Sequence, residues 1–572
     1  MTLLRVPIFH CLRFCLSIWM CGVCGGLIAE SVLAQTRYAQ SEFPESIDIQ
    51  PLPSERILDI PIDVAPSPAL PGTVPESIVI SAFEVIGSTV FSESDLATIT
   101  APYLNRPLTP AELFEVRSAI TQRYVDQGYV NSGAYIPPQT LTDGILQIQV
   151  LEGQLTDINV DIVGRLSPNY VRSRLALAGS TPLNSERLLD GLRLLQLDPL
   201  IQNITAELAT GTEPGTSILD VEVTVADTFD VELRTDNNRS PSVGSWRRGI
   251  ALTEGNLLGQ GDRIELEYLN TSGSDEVKLD YTFPVNARNG TIGWQTSLSD
   301  SSVIEDPFTV LDIQSESQTY GVSFRQPLVQ TPNEELALGL RLTHQRSKTD
   351  FLSDVIGESV GFPSPGADAD GRTRLSALRF SQEWTQTGNR EVLALFSEFS
   401  LGLDLLEATV NDNAPDSQFF AWRGQAQWVK LLAPETLLLL KGGLQLSGDD
   451  LLPLEEFGLG GQQTVRGYRQ NVLLTDNGFS LSGEVRLPVF RAREINGLLQ
   501  LAPFVDMGGG WNHNGTNPDP NVLVSTGVGL LWQQGDRLTA RLDWGIPLVD
   551  IDKRTSSLQE NGLYFAINYR LF

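Results

Sequence analysis

One glycine-rich segment of the chain combines residue types that support specific binding chemistry. It reads Gly-Gly-Gln-Gln-Thr-Val-Arg-Gly-Tyr-Arg over residues 460–469, with Arg466 near its centre. Glycines permit close approach of the backbone to a neighbouring surface, and a guanidinium can bind a carboxylate through two parallel hydrogen bonds. The segment therefore predicts either an arginine on an exposed loop or, more specifically, a loop whose Arg466 pairs with a carboxylate inside a folded domain.

Two carboxylates are candidates for this pair. Asp506 shares one strand face with Phe504, and Val505 points to the opposite face. Glu484 is the alternative partner. Leaving one member of a well-buried ion pair alone would cost roughly 3 to 5 kcal/mol. We therefore predict that Arg466 and its partner act as a latch that fixes the loop in position.

Catalytic groups are scarce elsewhere in the chain. The 572 residues include three histidines, and there is no nucleophile elbow, phosphate-binding loop or metal-spaced set of His and Cys. The run Asp368-Ala-Asp370-Gly371 resembles the start of a calcium loop but lacks the glutamate required downstream, so a solvated external loop is favoured. We expect no enzyme, no cofactor and no metal site.

Residues 1–34 predict a secretory signal peptide. Arg5 and Arg13 precede an apolar stretch, and a small-residue ending comes before Gln35. An uncleaved anchor helix is the alternative, although the apolar part is shorter than the ~20 residues that a span needs. All four cysteines lie in this leader. Cleavage would leave 38 basic and 69 acidic residues, and the resulting net charge of −31 argues against nucleic-acid binding.

Residues 35–77 predict an extended linker. They contain eight prolines, seven acidic residues and two arginines, with little apolar periodicity. A short plug or recognition segment is the functional alternative, and the proline density disfavours a long helix there.

Two similar α/β units are predicted after the linker. The first, residues 78–153, has a capping box at Thr109 and Glu112 that starts a helix, followed by two strands. The second, residues 154–226, repeats this order with a helix that starts after Asn184. Each unit has the order β-α-α-β-β, and neither contains a catalytic constellation.

Residues 227–572 predict a transmembrane barrel of about sixteen antiparallel strands. Strand-length segments alternate there between apolar and charged side chains, a pattern that also fits a soluble sandwich. A spacing of about 21 residues per strand and connection, the predicted signal peptide and an aromatic-rich final segment favour the barrel. Mean hydropathy of −0.06 and the lack of a long apolar run after the leader exclude a bundle of membrane helices.

Two sets of residues resemble a known family. Val465, Arg466, Gly467 and Tyr468 resemble the signature of the Omp85 superfamily, and residues 504–506 resemble the strand motif that faces it. The first α/β unit resembles the POTRA domain of the hemolysin secretion/activation branch, the TpsB transporters of two-partner secretion. The residues that carry this second resemblance are Gly128, Tyr129, Pro137, Pro138, Gln139, Gly144, Glu152 and Gly153.

The resemblance implies an outer-membrane β-barrel of sixteen strands preceded by two periplasmic POTRA domains. It further implies a secreted TpsA-like client polypeptide, which is received unfolded and exported without nucleotide hydrolysis, and a Val-Arg-Gly-Tyr loop that lies in the lumen. Outer-membrane lipid would surround the barrel. The alternatives are an Omp85 assembly factor, which generally carries more POTRA domains, a passive solute pore, and an outer-membrane enzyme. Family members often have a plug helix, which residues 35–77 do not resemble.

Overall fold

The computed structural model describes residues 58–59, 77–353, 357–412, 415–552 and 556–571. The predicted signal peptide and nearly all of the predicted linker lie outside the described residues. Two linker residues form the short strand β1 (Leu58–Asp59). Among the described helices, none has the length and apolar composition needed to cross a membrane. The chain divides into two compact units, one mainly over Leu52–Asp227 and one that contains Thr228–Leu257 and Asp262–Phe572.

The first α/β domain is a three-stranded sheet packed against two helices. Its elements are β2 (Ile78–Val79), β3 (Ala82–Ile86), α1 (Glu93–Thr100), β4 (Pro107–Leu108), α2 (Pro110–Val125), β5 (Gly133–Tyr135) and β6 (Ile145–Leu151). The central strand β6 is parallel to β3 and antiparallel to β5, and β2 pairs with β4. Val116, Ile120 and Tyr124 on α2 are fully buried, so one face of this helix forms the core.

Both helices of this domain begin at capping boxes. The Thr109 hydroxyl accepts a hydrogen bond from the Glu112 N–H, and the Glu112 carboxylate accepts one from the Thr109 N–H. Ser92 and Asp95 form the same arrangement at the start of α1. Hydrogen bonds from the Thr109 N–H and from Arg106 lower the pKa of Glu112 to about 2. The local sequence thus determines where each helix starts.

The second α/β domain repeats the β-α-α-β-β order of the first. Its elements are β7 (Gln154–Val163), α3 (Pro168–Ala178), α4 (Ser185–Gln196), β8 (Ile201–Thr210) and β9 (Thr216–Val225). The central strand β9 is parallel to β7 and antiparallel to β8. The linker strand β1 adds to the outer edge of β8 in parallel, opposite Ala206 and Glu207. Leu188, Leu192 and Leu195 on one face of α4 pack into the core.

The remainder of the described chain is a closed antiparallel barrel. Its strands are β10 (Phe229–Asp236), β11 (Arg247–Glu254), β12 (Arg263–Asn270), β13 (Ser274–Pro284), β14 (Thr291–Ser302), β15 (Gln314–Thr331), β16 (Glu334–Phe351), β17 (Val360–Gly361), β18 (Arg372–Thr387), β19 (Glu391–Leu403), β20 (Phe420–Ala433), β21 (Thr436–Ser447), β22 (Phe457–Leu459), β23 (Leu473–Thr475), β24 (Asn477–Ala492), β25 (Gly497–Trp511), β26 (Val522–Gln534), β27 (Leu538–Pro547) and β28 (Leu563–Arg570). β17 is a short addition beside β16. β22 and β23 pair with each other in the connection between β21 and β24 and are not strands of the wall. The other sixteen strands form the wall, which β28 closes by pairing with β10. The predicted fold class is confirmed.

Side chains alternate across the barrel wall as the sequence pattern predicts. On β14, Ile292, Trp294 and Leu298 are 44–49% exposed on the outer surface, whereas Ser297 and Ser299 are buried on the inner surface. Because successive strand residues point to opposite faces, an apolar exterior and a polar interior follow from the same alternation.

The two ends of the barrel differ in their connections. At the near rim, where β10 begins, short turns join the strands, such as residues 332–333 between β15 and β16. At the far rim most connections are longer, and the longest one described without a gap is residues 448–476, which we call the signature loop. Apolar residues from four far-rim connections and adjoining strand ends pack together, including Val303, Ile313, Phe362, Phe419, Leu451, Leu452 and Leu454.

Candidate functional site

The signature loop folds into the barrel. Its short hairpin of β22 and β23 lies beside buried Val465 and Tyr468. The Gly461 N–H donates to the Tyr468 carbonyl at 3.0 Å, which closes the tip of the loop. Arg466, at this tip, is 4% exposed. The loop thus presents a buried arginine to the inner wall.

Arg466 binds Asp506 of β25 through two side-chain hydrogen bonds. Nε donates to Oδ2 at 2.7 Å and Nη2 donates to Oδ1 at 2.8 Å. The Arg466 backbone N–H donates to the same Oδ2 at 3.1 Å. The carboxylate therefore holds both the guanidinium and the backbone of the loop.

The second sequence candidate, Glu484 of β24, also binds Arg466. Nη1 donates to Glu484 Oε2 at 2.7 Å. The Phe504 ring lies under the guanidinium, with its centroid 3.4 Å from the Arg466 Cζ, and Val505 is 57% exposed on the outer surface. From the sequence alone, Asp506 and Glu484 are alternative partners, whereas the structure brings both to Arg466.

Three further charged residues surround Arg466 and its two carboxylates, and no sequence motif predicted them as part of the site. Arg541 of β27 donates to Glu484 Oε2 at 2.6 Å and to Asp543 Oδ2 at 2.7 Å. Arg486 Nε donates to Glu484 Oε1 at 2.9 Å. With Arg466 and Asp506, the network holds three arginines and three carboxylates. Their strand parity indicates an inward direction, but only the register of the closed barrel brings them to Arg466.

Tyr564 of β28 fixes the loop backbone beside the arginine. Its hydroxyl accepts a hydrogen bond from the Gly467 N–H at 3.0 Å and donates to the Tyr468 carbonyl. A Cβ on Gly545 of β27 would lie 2.5 Å from the Gly467 nitrogen, so a side chain there would prevent the contact. The Tyr468 hydroxyl in turn donates to the Val524 carbonyl at 2.7 Å. All four residues of the predicted signature are thus buried against the wall or within the loop.

A polar cavity of about 200 Å³ lies in the lumen beside the Arg466 network. It is lined by loop residues and by inward side chains of the wall, including Gln462, Gln533, Thr539, Arg541 and Asn568. Amide, hydroxyl and guanidinium groups of this kind can bind the backbone of an extended polypeptide.

Gln139 of the first α/β domain occupies an edge of its sheet. Its Oε1 accepts from the Gln147 N–H at 2.8 Å, and its Nε2 donates to the Gln147 carbonyl at 2.7 Å. β5 ends at Tyr135, and Pro137 and Pro138 follow, which lack the N–H that a continuing strand would donate. One carboxamide therefore replaces the peptide group that a longer β5 would place beside β6.

Glu152 connects the end of β6 to the start of α1. Its carboxylate accepts from the Thr89 N–H at 2.7 Å, the Val90 N–H at 3.2 Å and the Tyr124 hydroxyl at 2.9 Å. Burial raises the pKa of Glu152, but hydrogen bonds from Thr89, Tyr124 and Val90 outweigh it, so the pKa is lowered below its ordinary value. Tyr129 packs beside Tyr124, with ring centroids 6.0 Å apart.

The motif glycines lie at turns and at the junction of the two α/β domains. The Gly128 carbonyl accepts from the Ser185 N–H at the start of α4, and the Gly153 carbonyl accepts from the Leu183 N–H. Gly144 forms the turn before β6, where its carbonyl accepts from the Ser81 N–H. These residues therefore shape the first domain and join it to the second.

Comparison with known proteins decides the family. Residues 215–531 match the model of the haemolysin secretion/activation protein ShlB/FhaC/HecB, and residues 78–153 match the ShlB-type POTRA domain. The chain belongs to the haemolysin secretion/activation family. Members of this TpsB family are outer-membrane transporters that act with secreted TpsA-like exoproteins, and their POTRA domains are periplasmic. The near rim of the barrel, where the chain enters from the second POTRA domain, is therefore the periplasmic rim.

Individual relatives agree with this assignment. The outer membrane transporter CdiB of Escherichia coli O6:K15:H31 (strain 536 / UPEC) is 24% identical over 515 residues, which cover 86% of this chain and 82% of that protein. The solved structure of CdiB from Escherichia coli has a TM-score of 0.67 at 21% identity and covers 89% of this chain and 94% of its own. BamA from Haemophilus ducreyi lacking POTRA domains 1–3 has a TM-score of 0.51 at 16% identity, covering 86% of this chain and 100% of its own. The two structures share the fold of this TpsB chain.

Proposed function

We propose that this chain exports an unfolded TpsA-like polypeptide from the periplasm to the cell surface through its barrel. The observation that carries the proposal is the signature loop, which is held in a polar lumen by Arg466, Asp506 and Glu484. A closed wall with an apolar exterior suits contact with outer-membrane lipid, and a polar interior suits a polypeptide backbone.

The POTRA domains capture the client in this proposal. β3 pairs with β6 alone among the described strands, which leaves its outer edge without a strand partner. An extended client can add to such an edge through backbone hydrogen bonds, which require little sequence identity. Capture of an unfolded polypeptide therefore needs no catalytic residue.

The signature loop controls passage through the lumen. Arg466 fixes the loop to the inner wall, so a passing client must move beside the loop or displace it. Loss of Arg466 would leave the wall with two arginines against three carboxylates, and the loop would lose its main electrostatic attachment. The buried network thus sets the position of the loop rather than the stability of the wall.

Export proceeds without nucleotide hydrolysis, enzyme activity or nucleic-acid binding. The sequence offers no phosphate-binding loop, and the acidic balance disfavours nucleic acid. Folding of the client at the cell surface would supply the driving force. Export at full rate of a client that cannot fold would contradict this part of the proposal.

Replacing Arg466 tests the proposed role of the loop. We expect Arg466→Ala to insert normally, because the wall strands keep their backbone pairing. Export should be strongly reduced because the loop loses its attachment to the wall, where a well-buried carboxylate left without its partner costs roughly 3 to 5 kcal/mol. The matched control is Arg493→Ala at the exposed near rim. A TpsA-like exoprotein is produced together with each variant, and its amount outside the cell is measured together with barrel folding by heat-dependent gel migration.

The outcomes separate folding from transport. Folded Arg466→Ala with little export, beside a normal Arg493→Ala control, supports the proposal. Wild-type export by folded Arg466→Ala would rule out the role assigned to the loop.

A further inference from the structure

A second arginine of the signature loop makes contacts separate from the Arg466 network. Arg469 is 3% exposed. Its Nη1 and Nη2 donate to Glu305 Oε1 and Oε2, both at 2.6 Å. Glu560 Oε1 lies 3.8 Å from the same Nη1. The two parallel hydrogen bonds fix the orientation of the Glu305 carboxylate as well as neutralising it.

The two arginines of the loop have different kinds of partner. Arg466 binds side chains of the wall strands β24 and β25. Arg469 binds Glu305, in the far-rim connection between β14 and β15, and lies near Glu560, in the connection between β27 and β28. The Arg469 guanidinium thus joins three far-rim connections.

The Gln559 side chain extends this contact to a fourth far-rim connection. The Gln470 N–H donates to Gln559 Oε1 at 3.0 Å. Gln559 Nε2 donates at 2.8 Å to the carbonyl of Arg239, which lies in the connection between β10 and β11. The Ile304 N–H donates to the Ser242 carbonyl at 2.9 Å. The connections around Arg469 therefore form one hydrogen-bonded ring at the far rim.

The charges around Arg469 give it more than a packing role. The Glu305 and Glu560 side chains are 5% and 4% exposed and belong to different connections. Their carboxylates face the guanidinium, which attracts both. Without it, two poorly solvated like charges would repel each other, and the connections that carry them would be driven apart.

We propose that Arg469 is a positioning residue that keeps the outer mouth of the pore closed. It binds Glu305 in the connection between β14 and β15 and lies near Glu560 in the connection between β27 and β28, while Arg466 fixes the same loop to the wall. Separation of Arg469 from Glu305 opens the mouth, and a client must cause this separation in order to leave. The inference goes beyond export itself, because it concerns the pore without a client.

Ion conductance of the full chain in a planar lipid bilayer tests this inference without any client. We expect Arg469→Ala and Glu305→Gln each to raise the open fraction by about tenfold or more, because each breaks a buried ion pair. The double variant should exceed neither single variant, and the exchange Arg469→Glu with Glu305→Arg should restore part of the closure, because the exchanged pair is formed again while Glu560 then faces a carboxylate. The control is Arg537→Ala, at an exposed near-rim turn, which should match the wild type.

Each outcome decides the proposal. Coupled effects with recovery in the exchanged pair support it. Wild-type conductance in folded Arg469→Ala and Glu305→Gln would overturn it, and so would additive effects in the double variant. If the alanine variant fails to fold, the isosteric Glu305→Gln variant and the exchanged pair still provide the comparison. Failure here leaves the export proposal standing, because export is measured separately with Arg466→Ala.

Discussion

Arg466 shows how one side chain can fix a long loop inside a barrel. Its guanidinium bonds two carboxylates on neighbouring strands, and its backbone N–H bonds one of them again. A lysine would supply the charge without the planar fork. The attachment therefore depends on geometry as much as on charge.

Gln139 allows a test of a single side chain in the first POTRA domain. In Gln139→Ala we expect the Gln147 amide to exchange its hydrogen roughly five- to tenfold faster, since a net hydrogen bond is worth about 1 kcal/mol. Hydrogen exchange followed by mass spectrometry of β6 measures this. Thr140→Ala, at the next exposed position, is the control. Unchanged exchange in Gln139→Ala would show that the carboxamide does not protect this edge.

The partners of Arg466 could be predicted only in part. Strand parity predicted that Asp506 faces inward with Phe504, and Glu484 was predicted as the alternative partner of Arg466. Arg541 and Asp543 have the same parity on β27, but their proximity depends on the register of several strand pairs, which no local pattern records. Strand parity predicts the face on which a side chain lies, whereas the register between strands determines which side chains are its neighbours.

At the scale of elements, Glu152 links the pH dependence of the first POTRA domain to one carboxylate. Because its pKa is lowered from 4.5 in the folded domain, its stabilising effect is present above that value and is lost as the pH falls through the folded-state pKa. Glu152→Gln should lower stability at pH 7 by roughly 1 to 3 kcal/mol, because the charged acceptor is lost.

Thermal unfolding followed by the helical circular dichroism signal measures this effect, since the described α-helices all lie in the two POTRA domains. The difference between Glu152→Gln and wild type should shrink on acidification below pH 4.5. Glu115→Gln, on the exposed side of α2, is the control. A difference that stays constant with pH would contradict the assigned role of the carboxylate.

Local sequence signals located the helices better than the edges of the sheets. Thr109 and Glu112 predicted the start of α2, because a capping box is complete within four residues. The pairing of Leu58–Asp59 with β8 joins segments far apart in the sequence, and the proline-rich composition of the linker does not indicate it. Local sequence patterns therefore could not predict the pairing of β1 with β8.

For the whole molecule, deletion of the first POTRA domain separates an exporter from a passive pore. We expect a chain that lacks residues 78–153 to lose export, because client capture is lost. Its barrel wall is unchanged, so its ion conductance should equal that of the full chain. Secretion and single-channel conductance are measured on the same variant. Undiminished export after the deletion would contradict a role of this domain in capture.

The architecture of the barrel was the part most accessible to prediction. Alternating side chains in residues 227–572 predicted an apolar and a polar surface, and the strand count followed from segment spacing. The folding of residues 448–476 into the lumen was implied by the family resemblance, since composition alone also allowed an exposed loop. The three additional charged residues of the network became visible only in the closed wall.

Photo-crosslinking during export tests most directly whether the client passes through this barrel. A photoreactive residue replaces Asn568, which lines the lumen cavity, or its neighbour Ile567, which is 38% exposed on the outer surface. We predict crosslinks to the client from position 568 and none from position 567. Equal crosslinking at both positions, or none at 568 while export continues, would contradict passage through the lumen.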